Sequence, residues 1–146
     1  MPFVTYLYQK DIDMASGKYS FVIEQGATTD FQIVYKDASG AAVDLSGYTA
    51  AMQIRDSKGG NTLYTTLTSS LGDVYNKTSG SSFISLSGSN LITNQVSGSI
   101  GVYIGHDVTN NLSFKEAYYD LEITDGQIRT RLLEGRVQLT KQVTTV

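Results

Sequence analysis

The chain has 146 residues and a formal net charge of −3; 40% of its residues are apolar and 17% charged, with 16 Ser, 16 Thr, 14 Gly and 10 Tyr, and neither Cys nor Trp. Its length fits one domain, long enough to hide roughly 68–70% of the surface its unfolded chain exposes. Without Cys there is no disulfide framework, thiol nucleophile or Cys-ligated metal, one His allows no multi-histidine site within a chain, and the acidic balance lacks the basic face of a nucleic-acid binder.

No stretch of about 18 apolar residues occurs, so no segment is expected to span a membrane. The start, Met1-Pro2-Phe3-Val4, lacks the basic region and apolar run of a secretory signal, so synthesis and folding in the cytoplasm are expected. Residues 3–9 have high β-propensity and are followed by a polar, Gly-containing connection over residues 10–18. Two readings of this beginning stand: an ordinary first strand, or an extended arm, residues 1–18, that adds a strand to a neighbour. In the second, Phe3, Val4, Tyr6 and Tyr8 form a protein interface.

From Tyr19 the pattern has period two, which puts one set of side chains in a core and the other toward water. Tyr19, Phe21 and Ile23 alternate in the first strand, and Phe31, Ile33 and Tyr35 in the second, Thr29 to Lys36. Asp37-Ala38-Ser39-Gly40 is turn chemistry. Tyr48, Ala50, Met52 and Ile54 alternate in the next strand, Asp56 to Asn61 makes a turn, and Leu63 and Leu67 lead back. Thr68 to Ser82 reads as a long surface loop. Phe83 to Leu86 is a short strand, Leu91 to Gln95 a helical turn, and Gly98 to Gly105 a strand with Ile100, Val102 and Ile104 inward. His106 to Phe114 reads as a short helical turn capped by Asp107 or Thr109 and docked by Leu112.

Ala117 to Thr124 follows, with Tyr119, Leu121 and Ile123 on one face. Asp125-Gly126 is a strong two-residue hairpin signal, and Gln127 to Thr140 is its partner, with Gly135 read as a bulge. About eight strands and no long amphipathic helix predict an all-β fold: an antiparallel, immunoglobulin-like β-sandwich over residues 19–146, preceded by the extended arm. Tyr119 stands where such a sandwich places a corner tyrosine; a plain core tyrosine is the other reading.

Chemical motifs are sparse. Gly-x-Ser-x-Gly, the P-loop and the dinucleotide fingerprint are absent, and His106 with Asp107 reads as a surface or capping pair. Asp120 and Glu122 share the outer face of a strand, opposite Arg129 and Arg131, which predicts cross-strand ion pairs. Asp11 and Asp13, with Asp30 or Asp37, have no EF-hand spacing. No catalytic residue, metal site or cofactor is therefore expected, and the protein is read as a non-enzyme.

Two stretches carry a resemblance: FVIEQGATTDFQIVYKDASGAAVDLSGYTAAMQIRDSKGG, residues 21–60, and YYDLEITDGQIRTRLLEGRVQLTKQVTT, residues 118–145, together 68 of the 146 residues. Their order of strands, turns and short motifs resembles the small β-sandwich modules of tailed-bacteriophage baseplate and tail-fibre proteins, in particular the N-terminal domain of siphophage upper baseplate proteins. The resemblance implies a virion structural protein, a baseplate or tail-fibre attachment adaptor made in the host cytoplasm. Its implied partners are other virion proteins and further copies of itself in an oligomer or symmetric array, with neither nucleic acid nor membrane. In that family the module commonly precedes further domains; here the sequence ends after the last strand, which favours an adaptor over receptor binding. A capsid decoration (cement) protein and a carbohydrate-binding module are the alternative expectations.

Overall fold

A computed structural model describes residues 4–8, 17–69, 77–86 and 98–144, and of residues 4–8 it describes the backbone. The strands are β1 (Val4–Tyr8), β2 (Gly17–Lys18), β3 (Phe21–Glu24), β4 (Thr29–Lys36), β5 (Thr49–Arg55), β6 (Leu63–Thr68), β7 (Ser82–Ser85), β8 (Ser99–Ile104), β9 (Glu116–Thr124) and β10 (Arg129–Thr140). One short helix, α1 (His106–Asn110), joins β8 to β9.

Two sheets form a sandwich. The first has the order β1-β4-β8-β7; the second has the order β2-β10-β9-β5-β6, with β3 also paired to β10. The runs β4-β8-β7 and β10-β9-β5-β6 follow the B-E-D and G-F-C-C′ orders of an immunoglobulin-type sandwich. The predicted strands from Tyr19 onward correspond to β3 through β10. The central pairings are antiparallel, whereas β1 on β4 and both β2 and β3 on β10 run parallel. Hairpins impose antiparallel pairing on neighbours in sequence; pairings between distant segments are free of that constraint. Gly17 and Lys18, read as part of a connection, lie in the second sheet. The predicted helical turn at Leu91 to Gln95, residues 70–76 of the predicted loop 68–82, and Phe3, Asp11 and Asp13 lie outside the described residues.

Period-two patterning delivers the core. Ile23, Ile33, Ile54, Leu67, Ile100, Val102, Ile104 and Leu121 are all buried, from facing strands of both sheets. Burying such a side chain contributes about 1.5–3 kcal/mol. Leu63 departs from the pattern and is 43% exposed. The β5–β6 register pairs Ile54 with Thr65 but Arg55 with Leu63, so Tyr64 is the extra residue. That bulge turns Tyr64 against Phe114, with ring centroids 4.7 Å apart, and sends Leu63 outward.

The turns follow the expected chemistry. The Asp37 carboxylate accepts the Ser39 and Ala41 backbone N–H groups at 2.9 and 3.0 Å, and Gly40 has φ +88°. The β9–β10 turn lies one residue on from the predicted Asp125-Gly126 pair: Asp125 N–H donates to the Ile128 carbonyl at 3.4 Å across Gly126 and Gln127, and the Asp125 carboxylate accepts N–H groups from Gln127 and Ile128, both at 2.9 Å. Helix α1 is preceded by Gly105 with no side-chain cap, in place of the predicted Asp107 or Thr109. The Thr109 hydroxyl instead donates to the Ala27 carbonyl at 2.8 Å, and Leu112 is buried beneath the helix.

The bulge predicted at Gly135 sits three residues earlier. Arg131 pairs with Glu122 and Leu133 with Leu121, which leaves Leu132 as the extra residue. Gly135 stays in the ladder opposite Tyr119, and its lack of a side chain serves a different purpose. A Cβ there would overlap the Tyr19 carbonyl, because the backbone between β2 and β3 crosses at that point. Tyr19 N–H donates to the Glu134 carbonyl at 3.1 Å, while the Tyr19 carbonyl accepts the hydroxyl of buried Tyr119 at 2.5 Å. The Ser20 hydroxyl accepts the Arg136 N–H at 3.2 Å. Tyr119 is therefore a core tyrosine bound to a segment 100 residues upstream, not a corner tyrosine bound to the preceding turn. Burial pushes its phenol well above the ordinary tyrosine value.

Replacing Tyr119 by Phe leaves the Tyr19 carbonyl without its donor in a partly buried place. The expected loss is about 1–3 kcal/mol, read as a lower denaturant midpoint at unchanged slope. Gly135→Ala is expected to cost at least as much, since backbone must move to admit one methyl group.

Candidate interaction surfaces

Three features stand outside the core. The first is the margin of the first sheet. β1 runs along the outer edge of β4 in parallel register, from Val4 opposite Gln32 to Tyr8 opposite Lys36. Among the described residues β4 is its sole pairing partner. Of the four residues expected to form an interface, Val4, Tyr6 and Tyr8 thus share one strand at a sheet edge of their own molecule. A strand there presents its other edge outward, which is a template for pairing unless something covers it.

The second is a groove of about 540 Å³ between β3 and the first half of β4, lined by Tyr19, Phe21, Val22, Thr29, Asp30 and Phe31. Its floor is aromatic: the Phe31 ring centroid lies 4.9 Å from that of Phe21 and 5.6 Å from that of Tyr19. The β1 ladder begins at Gln32, so Thr29 to Phe31 have no β1 partner among the described residues. Val22, on the outer side of β3, is 49% exposed.

The third is a cavity of about 310 Å³ on the outer face of the second sheet, lined among others by Gln53, Arg55, Lys58, Tyr118, Asp120 and Glu134. After the Leu132 bulge, Glu134 falls on this outer face opposite Asp120, yet it is 9% exposed. Three cations from three elements surround its carboxylate: Lys18 of β2, Lys58 of the β5–β6 turn at 3.3 Å, and Arg131 of β10 at 3.5 Å. Hydrogen bonding from Lys18, then from Lys58, holds its carboxyl below the usual glutamate range, against an opposing push from burial. Arg131 also reaches Asp120 at 3.4 Å, and Arg55 donates to Gln53 at 2.9 Å. Burial raises Asp120, Arg131 opposes the rise, and the neighbouring Glu122 and Glu134 add to it.

The predicted cross-strand pairing on this face is realised by Arg131 with Asp120. Its centre, Glu134, is missed by periodicity, which shows only an interruption there. The usable signal is a Glu at the point where inward alternation changes phase. This cluster satisfies itself: each acid has a cation, and its geometry fastens β2 and the β5–β6 turn to β10. His106 Nδ1 lies 3.3 Å from Asp107 Oδ1, an exposed pair on α1. Asp30 is paired with Lys77 at 3.0 Å and Asp37 holds its turn. Among the described residues, no three His, Cys, Asp or Glu side chains group as metal ligands would.

No family model matches this sequence, and no curated protein matches it. Among solved structures it is similar to the N-terminal domain of phage TP901-1 ORF48, with 8% identity and a TM-score of 0.42 over 95% of this chain and 99% of that one.

Glu134 ties the cavity to stability with a definite sign. Its folded-state pKa lies below the ordinary value of 4.5, so its contribution is complete above that value and is lost as pH falls through the depressed one. Glu134→Gln is expected to lower stability at neutral pH, with the gap to the parent protein closing as the solution is acidified. Asp120 has the opposite sign, because ionising it costs folded stability; Asp120→Asn is expected not to lower stability at neutral pH. Denaturant titrations across the acid range read both.

Proposed function

We propose that this protein is a non-enzymatic structural component of a tailed-bacteriophage virion, a baseplate or tail-fibre attachment adaptor that assembles through protein–protein contacts. One observation carries the reading. The two stretches that resemble the phage modules, residues 21–60 and 118–145, include β3, β4, β5, most of β9 and all of β10. In the second sheet, β3, β10, β9 and β5 lie side by side. The resemblance therefore falls on four adjacent strands of the second sheet and on β4 of the first, as it would if one module had been kept as a unit.

The physical form agrees with an assembly role. In the polar outer cluster each acid has a cation, and the described groove is floored by aromatic rings, the side chains that tend to dominate interface energy. β1 is a strand at a sheet margin, and sheet margins are where proteins accept or donate strands. In this reading residues 1–18 attach the sandwich to its neighbours in the particle, with Phe3, Val4, Tyr6 and Tyr8 in the interface.

Immunogold labelling of purified particles tests the assignment. Gold at the tail end is the expected result. Gold spread over the head makes the protein a capsid cement, and absence of label from particles with an accessible epitope removes the virion role and turns attention to glycan binding. Removal of residues 1–15 is expected to abolish incorporation into particles while the remaining domain folds; a truncated protein that still assembles contradicts the role given to the arm.

A further inference from the structure

We infer that β1 is exchanged between copies: the outer edge of β4 in one molecule accepts Val4–Tyr8 of a second copy, in the parallel register that it holds within its own molecule. The inference draws its biological use from the attachment reading above, but its structural basis is the ladder itself.

β1 is joined by a ladder of five residue pairs to one strand, β4, among the described residues. A parallel ladder is slightly less stable per residue than an antiparallel one. β1 is also outermost, so its departure leaves the β4–β8 and β8–β7 ladders and the whole second sheet in place. The segment that follows it is anchored on the opposite sheet: Lys18 pairs with Glu134, and Tyr19 is held by the Tyr119 hydroxyl. Eight residues, 9–16, connect these two sites. Fully extended, eight residues span at most about 26–29 Å, which sets how far β1 can reach while Tyr19 remains anchored.

The occupant follows from identity. The β4 edge is already complementary to Val4–Tyr8, and a second copy offers that same strand, so exchange replaces each pairing by its equal between molecules. An unrelated strand has no such guarantee of register.

The absence of native Cys makes a direct test possible. Tyr6 and Val34 are opposed in the ladder. Adjacent strands lie about 4.8 Å apart, within the Cα separation of about 4.4–6.8 Å that a disulfide bridges. Tyr6→Cys and Val34→Cys proteins, one isotopically labelled, are unfolded, mixed, refolded together at high concentration and oxidised. The expected product is a disulfide dimer of one labelled and one unlabelled molecule, with its bridge mapped to positions 6 and 34. Overturning the inference requires that no such mixed dimer forms while the doubly substituted protein closes its bridge within one molecule.

Should the Cys variants fail to fold, a second variant decides. Deleting residues 11–14 shortens the connection and disfavours the return of β1 to its own β4, so a folded dimer by light scattering is expected. A folded monomer overturns the inference. Neither result depends on particles, so failure here is distinguishable from failure of the virion assignment, which the gold label reads.

Discussion

A partly buried hydrogen bond organises the molecule: the Tyr119 hydroxyl donating to the Tyr19 carbonyl. The N-terminal segment pairs with β10 of the second sheet twice, as β2 and then as β3, and the ladder is interrupted between the two. The freed carbonyl turns to the core and meets a phenol; Ser20 takes the Arg136 amide in place of a main-chain acceptor; Gly135 leaves room for the crossing backbone. An unmet carbonyl in the same place would cost as much as several favourable surface contacts provide. The Glu134 cluster holds the preceding strand, β2, from the outer face. Together they anchor the backbone from Lys18 onward, and they leave β1 joined to the rest through its own ladder and an eight-residue connection.

Most of the sandwich is legible in the amino-acid order because half-buried strands impose a strict period of two. The inward sets Phe31–Ile33–Tyr35, Ala50–Met52–Ile54, Ile100–Val102–Ile104 and Tyr119–Leu121–Ile123 are all buried. The departures have a common cause. A bulge shifts the phase by one residue, and its position depends on the partner strand, which periodicity within one strand does not contain. The bulge at Tyr64 exposes Leu63, and the bulge at Leu132 turns Glu134 outward and leaves Gly135 opposite Tyr119. Parallel pairing of β1, β2 and β3 is equally hidden, since it joins segments far apart in sequence. Gly135 is conspicuous in the sequence, but its reason lies in the approach of Tyr19, more than a hundred residues away.

The candidate surfaces divide the same way. The aromatic and β-branched character of Val4 to Tyr8 marks a strand from sequence alone, whereas its seat on β4 does not follow from that character. The charged face is partly legible, through Asp120 and Arg131 across the hairpin. The convergence of Lys18, Lys58 and Arg131 on one carboxylate requires β2, the β5–β6 turn and β10 to be brought together. What results is a sandwich with an ion-paired outer face, an aromatic-floored groove and a marginal strand. That combination suits a component whose work is to hold neighbours in register.

Attachment and exchange both rest on β1 being a separable strand, docked on a sandwich that is complete without it. Residue-resolved amide hydrogen exchange distinguishes this from an integral strand, because local opening and global unfolding appear as different protection levels. If β1 is separable, the amides of the β1–β4 ladder exchange through a low-energy local opening, while those of β9 and β10 exchange at the level of global unfolding. Equal protection in β1 and in the β9–β10 ladder would make β1 an integral strand and contradict its role as a detachable arm.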